Sequence, residues 1–128
     1  LVPHDLNGVT RAAACALSDV VAFPRLMFEA WPRVVLEAQA AGTPAVVSCF
    51  GGAAEAVIDG ETGHVVDPRD VDALADAIAR LLEDTALNCG MGEAAQQRVA
   101  SEFSVDRQVA ATLEVYERAR ARRKGSAA

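Results

Sequence analysis

Apolar positions along this chain fall into two rhythms, short unbroken runs and helical stripes, and the two alternate. "RAAACALS" (11–18) has the pattern of a short helix, and "DVVAFP" (19–24) is a continuous apolar run ended by Pro24. A run apolar on both faces predicts a strand buried in a parallel sheet. Residues 32–41 predict a helix stopped by Gly42, with Thr43 and Pro44 forming the turn into a second buried strand, "AVVSCF" (45–50). Gly51 and Gly52 end that strand, "AAEAVI" (53–58) predicts a brief helix, and "DGETG" (59–63) a loop. "HVV" (64–66) predicts a third strand. The helix predicted over 70–83 places Val71, Leu74, Ala75, Ile78, Leu81 and Leu82 on one stripe. Two further helices are predicted over 86–101 and 104–122, the second capped by Ser104.

Strands alternating with helices imply a parallel sheet with right-handed crossovers. Three strands make a poor sheet by themselves, so the expectation is an α/β fold of partial doubly wound type: the C-terminal half of a domain whose other strands lie upstream. The chain starts at Leu1, and "LVPHDLNGV" reads like the interior of a loop, which agrees with a fragment. The expected organisation is one domain over 1–117, then a basic tail over 118–128, frayed or disordered.

Composition narrows the function. A net charge of −6 argues against general nucleic-acid binding, which needs a basic surface. Arg118, Arg120, Arg122, Arg123 and Lys124 concentrate positive charge near the end. Such a block suits a frayed, solvated helix end first, with contact to anionic lipid or an acidic partner as the alternative. A membrane-surface role has no other support. Cys15, Cys49 and Cys89 are too few and too dispersed for a zinc site or disulfide framework, and their apolar neighbours suit small buried residues in a reducing cytoplasm. His4 and His64 have no acid or cysteine beside them in sequence and are expected to be structural. No apolar run reaches membrane-spanning length, and no signal peptide pattern is visible.

The candidate chemistry lies in "FEAWPRVVLEAQAAGTPAVVS" (28–48), where Glu29 and Glu37 bracket a predicted helix start. Ligands of doubly wound sheets bind outside the carboxyl ends of the strands, where loops lead into helix N-termini. Pro32 suits the first helical position, which would leave the N–H groups of Arg33, Val34 and Val35 without intrahelical partners. With the helix dipole and the Arg33 guanidinium they would form a phosphate site. A glutamate beside bound phosphate repels it unless it reaches past to neutral hydroxyls, and a carboxylate can accept two of these. That combination points to a nucleotide sugar. A dipole-complementing Glu29 and a solvated Glu37 remain the plain alternative on spacing alone.

Here the stretch resembles the Glu-x7-Glu segment of retaining glycosyltransferases built from two Rossmann-like domains (the GT-B type), specifically the family-4 group. That group's pattern runs roughly E-G-F-G-x-V-x-L-E-A-x-A-x-G-x-P-V-V, then G-G-x-x-E, then D-G-x-T-G-x-x-V. This chain shows "EAWPRVVLEAQAAGTPAVV" (29–47), "GGAAE" (51–55) and "DGETGHVV" (59–66) in that order. "DVDALADAIARLLED" (70–84) and "MGEAAQQRVASEFSVDRQV" (91–109) resemble the helices that follow, so the likeness runs over about 16–118.

The resemblance implies the donor-binding part of a glycosyltransferase that moves a sugar from a nucleoside-diphosphate sugar to an acceptor with retention. It implies that Glu37 holds the ribose hydroxyls and that Glu29, the catalytic candidate, contacts the donor sugar near the reacting carbon, positioning it if not attacking it. The backbone of Pro32, Arg33 and Val34 would meet the diphosphate, and Gly51 and Gly52 would allow a loop to approach the donor closely. No metal or other cofactor is implied. An arginine and a lysine earlier in the domain would neutralise the diphosphate, and a separate N-terminal domain would bind the acceptor, whether sugar, lipid or small molecule. Both are expected to lie outside this chain, so the chain alone is expected to be inactive. The place implied is the cytoplasm, at most peripheral to the inner membrane face.

Ala30 and Pro32 depart from the family's glycines, and Pro32 donates no N–H. These departures keep open a second class, a nucleotide-sugar-binding or regulatory module without chemistry. A nucleotide-sugar epimerase fits the ordered segments less well. Glu55 is expected to be a first-turn helix acid, and Thr62 with Gly63 a tight turn.

Overall fold

The computed structural model describes residues 10–125; His4 and the last three residues of "GSAA" lie outside that range. Six helices and three strands alternate as expected: α1 (Arg11–Ala16), β1 (Val21–Phe23), α2 (Arg33–Ala40), β2 (Ala45–Ser48), α3 (Ala53–Ala56), β3 (Gly63–Val66), α4 (Val71–Glu83), α5 (Thr85–Glu102) and α6 (Val105–Gly125). The strands form one parallel sheet in the order β1-β2-β3, with Val21 opposite Ala45 and Val46 opposite His64. The fold is α/β and Rossmann-like.

The central strand explains the apolar run that predicts it. All four residues of β2 are buried, and alternate side chains enter opposite layers. Ala45 and Val47 pack with Val35, Ala53, Ala56 and Val57. Val46 packs with Leu81 and Met91 on the other face. Leu81 is 1% exposed and ties α4 to the sheet, so Leu81→Ala is expected to cost about 2–5 kcal/mol.

β1 is less buried than its run of apolar residues suggests. Ala22 is exposed and its neighbours are half-buried, because β1 pairs on one side only among the described residues. The stripe of α4 is also narrower than expected. Leu74, Ala77, Ile78 and Leu81 face the core, whereas Val71 and Leu82 are 70% and 56% exposed. Ala75 is exposed with them, on the row one step round the helix from the contact line. Cys15 is buried as expected, but Cys49 and Cys89 are exposed: Cys49 lies past the end of β2 and Cys89 on the outer face of α5.

Gly63 is more than a turn residue. A Cβ there would stand 2.1 Å from the Ala45 carbonyl oxygen, so glycine is what lets β3 begin against β2. Thr62 is buried, and its hydroxyl accepts a 2.8 Å hydrogen bond from the Ile58 N–H. His64 does have an acidic neighbour, Asp59, 3.4 Å from its Nδ1 across the β3 turn. α6 runs on through the basic residues to Gly125, with its side chains exposed as far as Arg123. No helix among the described residues is long and apolar enough to cross a membrane.

Candidate functional site

Parallel strands put their carboxyl ends on one edge of the sheet. Three loops therefore share that edge: residues 24–32 after β1, 49–52 after β2 and 67–70 after β3. The first carries Glu29 and leads into α2.

The start of α2 is left open. Pro32 is its N-cap, not its first helical residue, and makes no side-chain capping hydrogen bond. The first turn contains no acid, and Arg33 at its head is 81% exposed. Of the three amides expected to be free, Val35 is not: its N–H donates to the Pro32 carbonyl at 3.1 Å, as the tight first turn brings the two together. Among the described residues the N–H groups of Arg33 and Val34 have no partner. Two uncapped amides and the helix dipole meet there, an arrangement that attracts anions, while the exposed Arg33 guanidinium reaches to within 3.9 Å of Glu37 one turn on.

Glu29 is held by its backbone more than by its side chain. Its carbonyl oxygen accepts a 2.9 Å hydrogen bond from the Gly52 N–H. A Cβ on Gly51 would come within 2.3 Å of that oxygen, and one on Gly52 within 1.9 Å of the Ala30 carbonyl oxygen. Gly51 also has φ +71°, the left-handed region that favours glycine. The close approach permitted by the two glycines is thus between the 49–52 loop and the Glu29 loop. The glycines fix where Glu29 leaves the backbone. The carboxylate itself stays half-exposed, with Arg25 Nε 3.4 Å from Oε2. Trp31, the loop residue before the N-cap, lies 5.7 Å from the Phe103 ring between centroids.

Glu37 lies one turn into α2. Arg11 grips it from α1: Nε donates to Oε2 at 2.5 Å and Nη2 to Oε1 at 3.0 Å. Arg33 Nη2 stands farther off, 3.9 Å from Oε1. The structure therefore brings Glu29, Pro32, Arg33, Val34, Glu37, Gly51 and Gly52 to one edge and adds Arg11 and Arg25. Arg25 was within reach of sequence reasoning, standing four residues before Glu29. Arg11, 26 positions from Glu37, was not.

The neighbouring loop after β3 is closed on itself. Asp67 accepts from the Arg69 N–H at 3.0 Å and from the Arg69 guanidinium, Nη2 at 2.6 Å. The side-chain hydrogen bond from Arg69, then that from its backbone, holds the Asp67 carboxyl down at about 2. Arg69 in turn covers the Phe50 ring at 5.2 Å. Among the described residues no group of three or more His, Cys, Asp or Glu side chains could hold a metal ion.

The family model for "Glycosyl transferases group 1" matches residues 9–98. Glycogen synthase of Mycobacterium tuberculosis (strain CDC 1551 / Oshkosh) is 46% identical over 89 residues, 70% of this chain and 22% of that protein. D-inositol 3-phosphate glycosyltransferase of Salinispora arenicola (strain CNS-205) is 43% identical over 112 residues, 88% of this chain and 23% of that protein. Among solved structures, Anabaena HepE in complex with UDP-glucose superposes with a TM-score of 0.72 at 32% identity, covering 80% of this chain and 29% of that one. The chain thus spans about a quarter of the length of the proteins it matches.

Proposed function

The chain belongs to the glycosyl transferases group 1 family, and from that premise we propose that it forms the donor-binding part of an enzyme transferring a sugar from a nucleoside-diphosphate sugar with retention. The observation that carries the proposal is the uncapped start of α2, flanked by two carboxylates at the carboxyl edge of a parallel sheet. HepE, of the same fold, was solved with UDP-glucose bound, which supports a nucleotide-sugar ligand.

In this reading the diphosphate meets the Arg33 and Val34 N–H groups and the exposed Arg33 guanidinium. Glu37 accepts the ribose hydroxyls. Glu29, one loop away, accepts a hydroxyl of the donor sugar near its anomeric carbon. Transfer breaks the bond from that carbon to the diphosphate oxygen, which keeps the electron pair; the acceptor hydroxyl oxygen forms the new bond on the same face as its proton passes to that departing oxygen. Charge grows on the departing diphosphate, where fixed amide dipoles stabilise it without rearranging. Pro32 offers no N–H but leaves the helix start free of any side-chain cap. The diphosphate is neutralised by the helix start and basic residues, so turnover is expected to survive a chelator.

Ala30 and Pro32, standing where the family has glycine, favour the second reading, a nucleotide-sugar-binding module without chemistry. An assay of the full-length protein separates the two. Release of nucleoside diphosphate together with a glycosylated acceptor supports the enzyme, and donor binding without release supports the module. Glu37→Ala should weaken nucleoside-diphosphate binding by roughly tenfold or more, from the loss of about 1.5–3 kcal/mol of charge-assisted hydrogen bonding. Calorimetry showing unchanged affinity would remove Glu37 from the ribose role.

A further inference from the structure

We infer that Arg11 is a positioning residue for the nucleotide, holding the Glu37 carboxylate in the plane in which it can receive a ribose diol. The inference rests on the ribose role proposed for Glu37.

Three observations carry it. The first is the geometry of the pair. One edge of the Arg11 guanidinium donates to both carboxylate oxygens, the two-point contact that fixes a carboxylate's plane. An ionised carboxylate has about four acceptor positions, so a two-point grip leaves roughly half of them for a second pair of donors. Adjacent ribose hydroxyls are such a pair.

The second is the cost of placing Arg11 where it is. Thr10 caps α1 through a hydrogen bond from the Ala13 N–H, which makes Arg11 the first helical residue. A cation at a helix N-terminus opposes the dipole, and α1 has no acid in its first turn to offset it. The position favours an acid or a neutral residue. The partner on α2 is what makes a cation tolerable there. α1 is also fixed at its other end, where the buried Thr43 hydroxyl donates to the Cys15 carbonyl at 2.7 Å. The guanidinium is therefore presented from a helix anchored to the turn before β2.

The third concerns Arg33. Glu37 and Arg33 are one helical turn apart and close enough to pair. With Arg11 holding Glu37 by the short contacts, Arg33 keeps only a long 3.9 Å ion-pair contact with it and remains 81% exposed. Without Arg11, Glu37 would capture Arg33 and withdraw it from the diphosphate. Arg11 thus neutralises Glu37 without using up its acceptor capacity.

The test is the preference for ribose over 2′-deoxyribose in the full-length protein. UDP, ADP and GDP are titrated by calorimetry, and the tightest binder is compared with its 2′-deoxy form in wild type, Glu37→Gln, Arg11→Ala and Arg11→Lys. Arg11→Ala should weaken the ribonucleotide roughly three- to tenfold, the range for re-immobilising one freed side chain, and should shrink the ribose preference towards one. Arg11→Lys keeps the charge at the α1–α2 contact without the flat two-point grip. It should recover part of the affinity and little of the preference, and it carries the test if Arg11→Ala does not fold. If Glu37→Gln abolishes the preference while both Arg11 variants retain it in full, Arg11 is an ion pair joining two helices. The inference then falls and the donor site stands. If Glu37→Gln itself retains the preference, the ribose role of Glu37 falls and this inference falls with it.

Discussion

Helices α2 and α4 begin at the same edge of the same sheet, each after a parallel strand, yet their first turns are finished in opposite ways. At α4 the N-cap Asp70 accepts a 2.9 Å hydrogen bond from the Ala73 N–H, and Asp72 adds an acid to the first turn. At α2 the N-cap is Pro32, no side chain caps it, and the first turn opens with Arg33. The acids three residues before each cap differ in the same sense. Asp67 is bound by its own loop's Arg69 through backbone and side chain. Glu29 has one looser contact with Arg25. A helix start that completes its own hydrogen bonds contributes to stability. One that leaves them open at a strand's carboxyl end has capacity for a ligand.

The largest expected effect comes from the looser acid. Glu29→Gln keeps the size and one acceptor oxygen but removes the charge. If the full-length protein is the proposed enzyme, kcat should fall roughly a hundredfold, the size typical of a fixed electrostatic contact made in the transition state. Nucleotide affinity should stay within about threefold, because in the role proposed for Glu29 the contact strengthens only as the sugar–phosphate bond breaks. An unchanged kcat would leave Glu29 as a loop acid no different in kind from Asp67.

Reversing the charge at the open start is expected to matter less. Arg33→Glu gains about 0.3–1 kcal/mol with the α2 dipole and loses about 0.2–0.5 kcal/mol against Glu37 one turn on. Its thermal midpoint should therefore barely move, while nucleoside-diphosphate affinity falls by about tenfold as a charge-assisted contact becomes a repulsive one. Equal losses in stability and affinity would mean that Arg33 is structural.

Most of the fold was legible because the sheet is so apolar. Ala45–Ser48 are buried on both faces, so the sequence after Pro44 reads as a strand, although the predicted strand runs two residues past its end at Ser48. Ser104 announces α6, its hydroxyl accepting from the Arg107 N–H three residues on, whereas the caps Asp70 and Asp84 of α4 and α5 emerged only in the structure. The site was legible as residues and not as contacts. Glu29, Arg33 and Glu37 belong to one loop and helix, so local spacing brings them together. The grip of Arg11 on Glu37 depends on how α1 packs against α2, which no local pattern encodes. The exposure of Val71, Leu82, Cys49 and Cys89 has the same origin: a residue's own chemistry does not say which row of a helix, or which end of a strand, the sheet will cover.

At the closed start the effects should be confined to stability. Asp70→Ala should cost about 1 kcal/mol, the usual value of an N-cap, and leave nucleotide affinity within twofold. An affinity loss larger than the stability loss would make the two helix starts alike. The smallest effect is in acid. Because the folded Asp67 carboxyl is held at about 2, below its ordinary value of 3.8, its contribution to stability is complete above that ordinary value. It is lost as pH falls towards 2. Carboxyl NMR titration should find the Asp67 midpoint near 2 and shift it upward in Arg69→Ala.

The contrast between the two helix starts is tested most directly by a crystal structure of the full-length protein with its tightest-binding nucleoside diphosphate. The diphosphate should lie against the Arg33 and Val34 N–H groups at the head of α2, with both ribose hydroxyls donating to Glu37 and Arg11 still in place behind it. A nucleotide seated elsewhere, with those two amides facing water and Glu37 touched by Arg11 alone, would contradict the account.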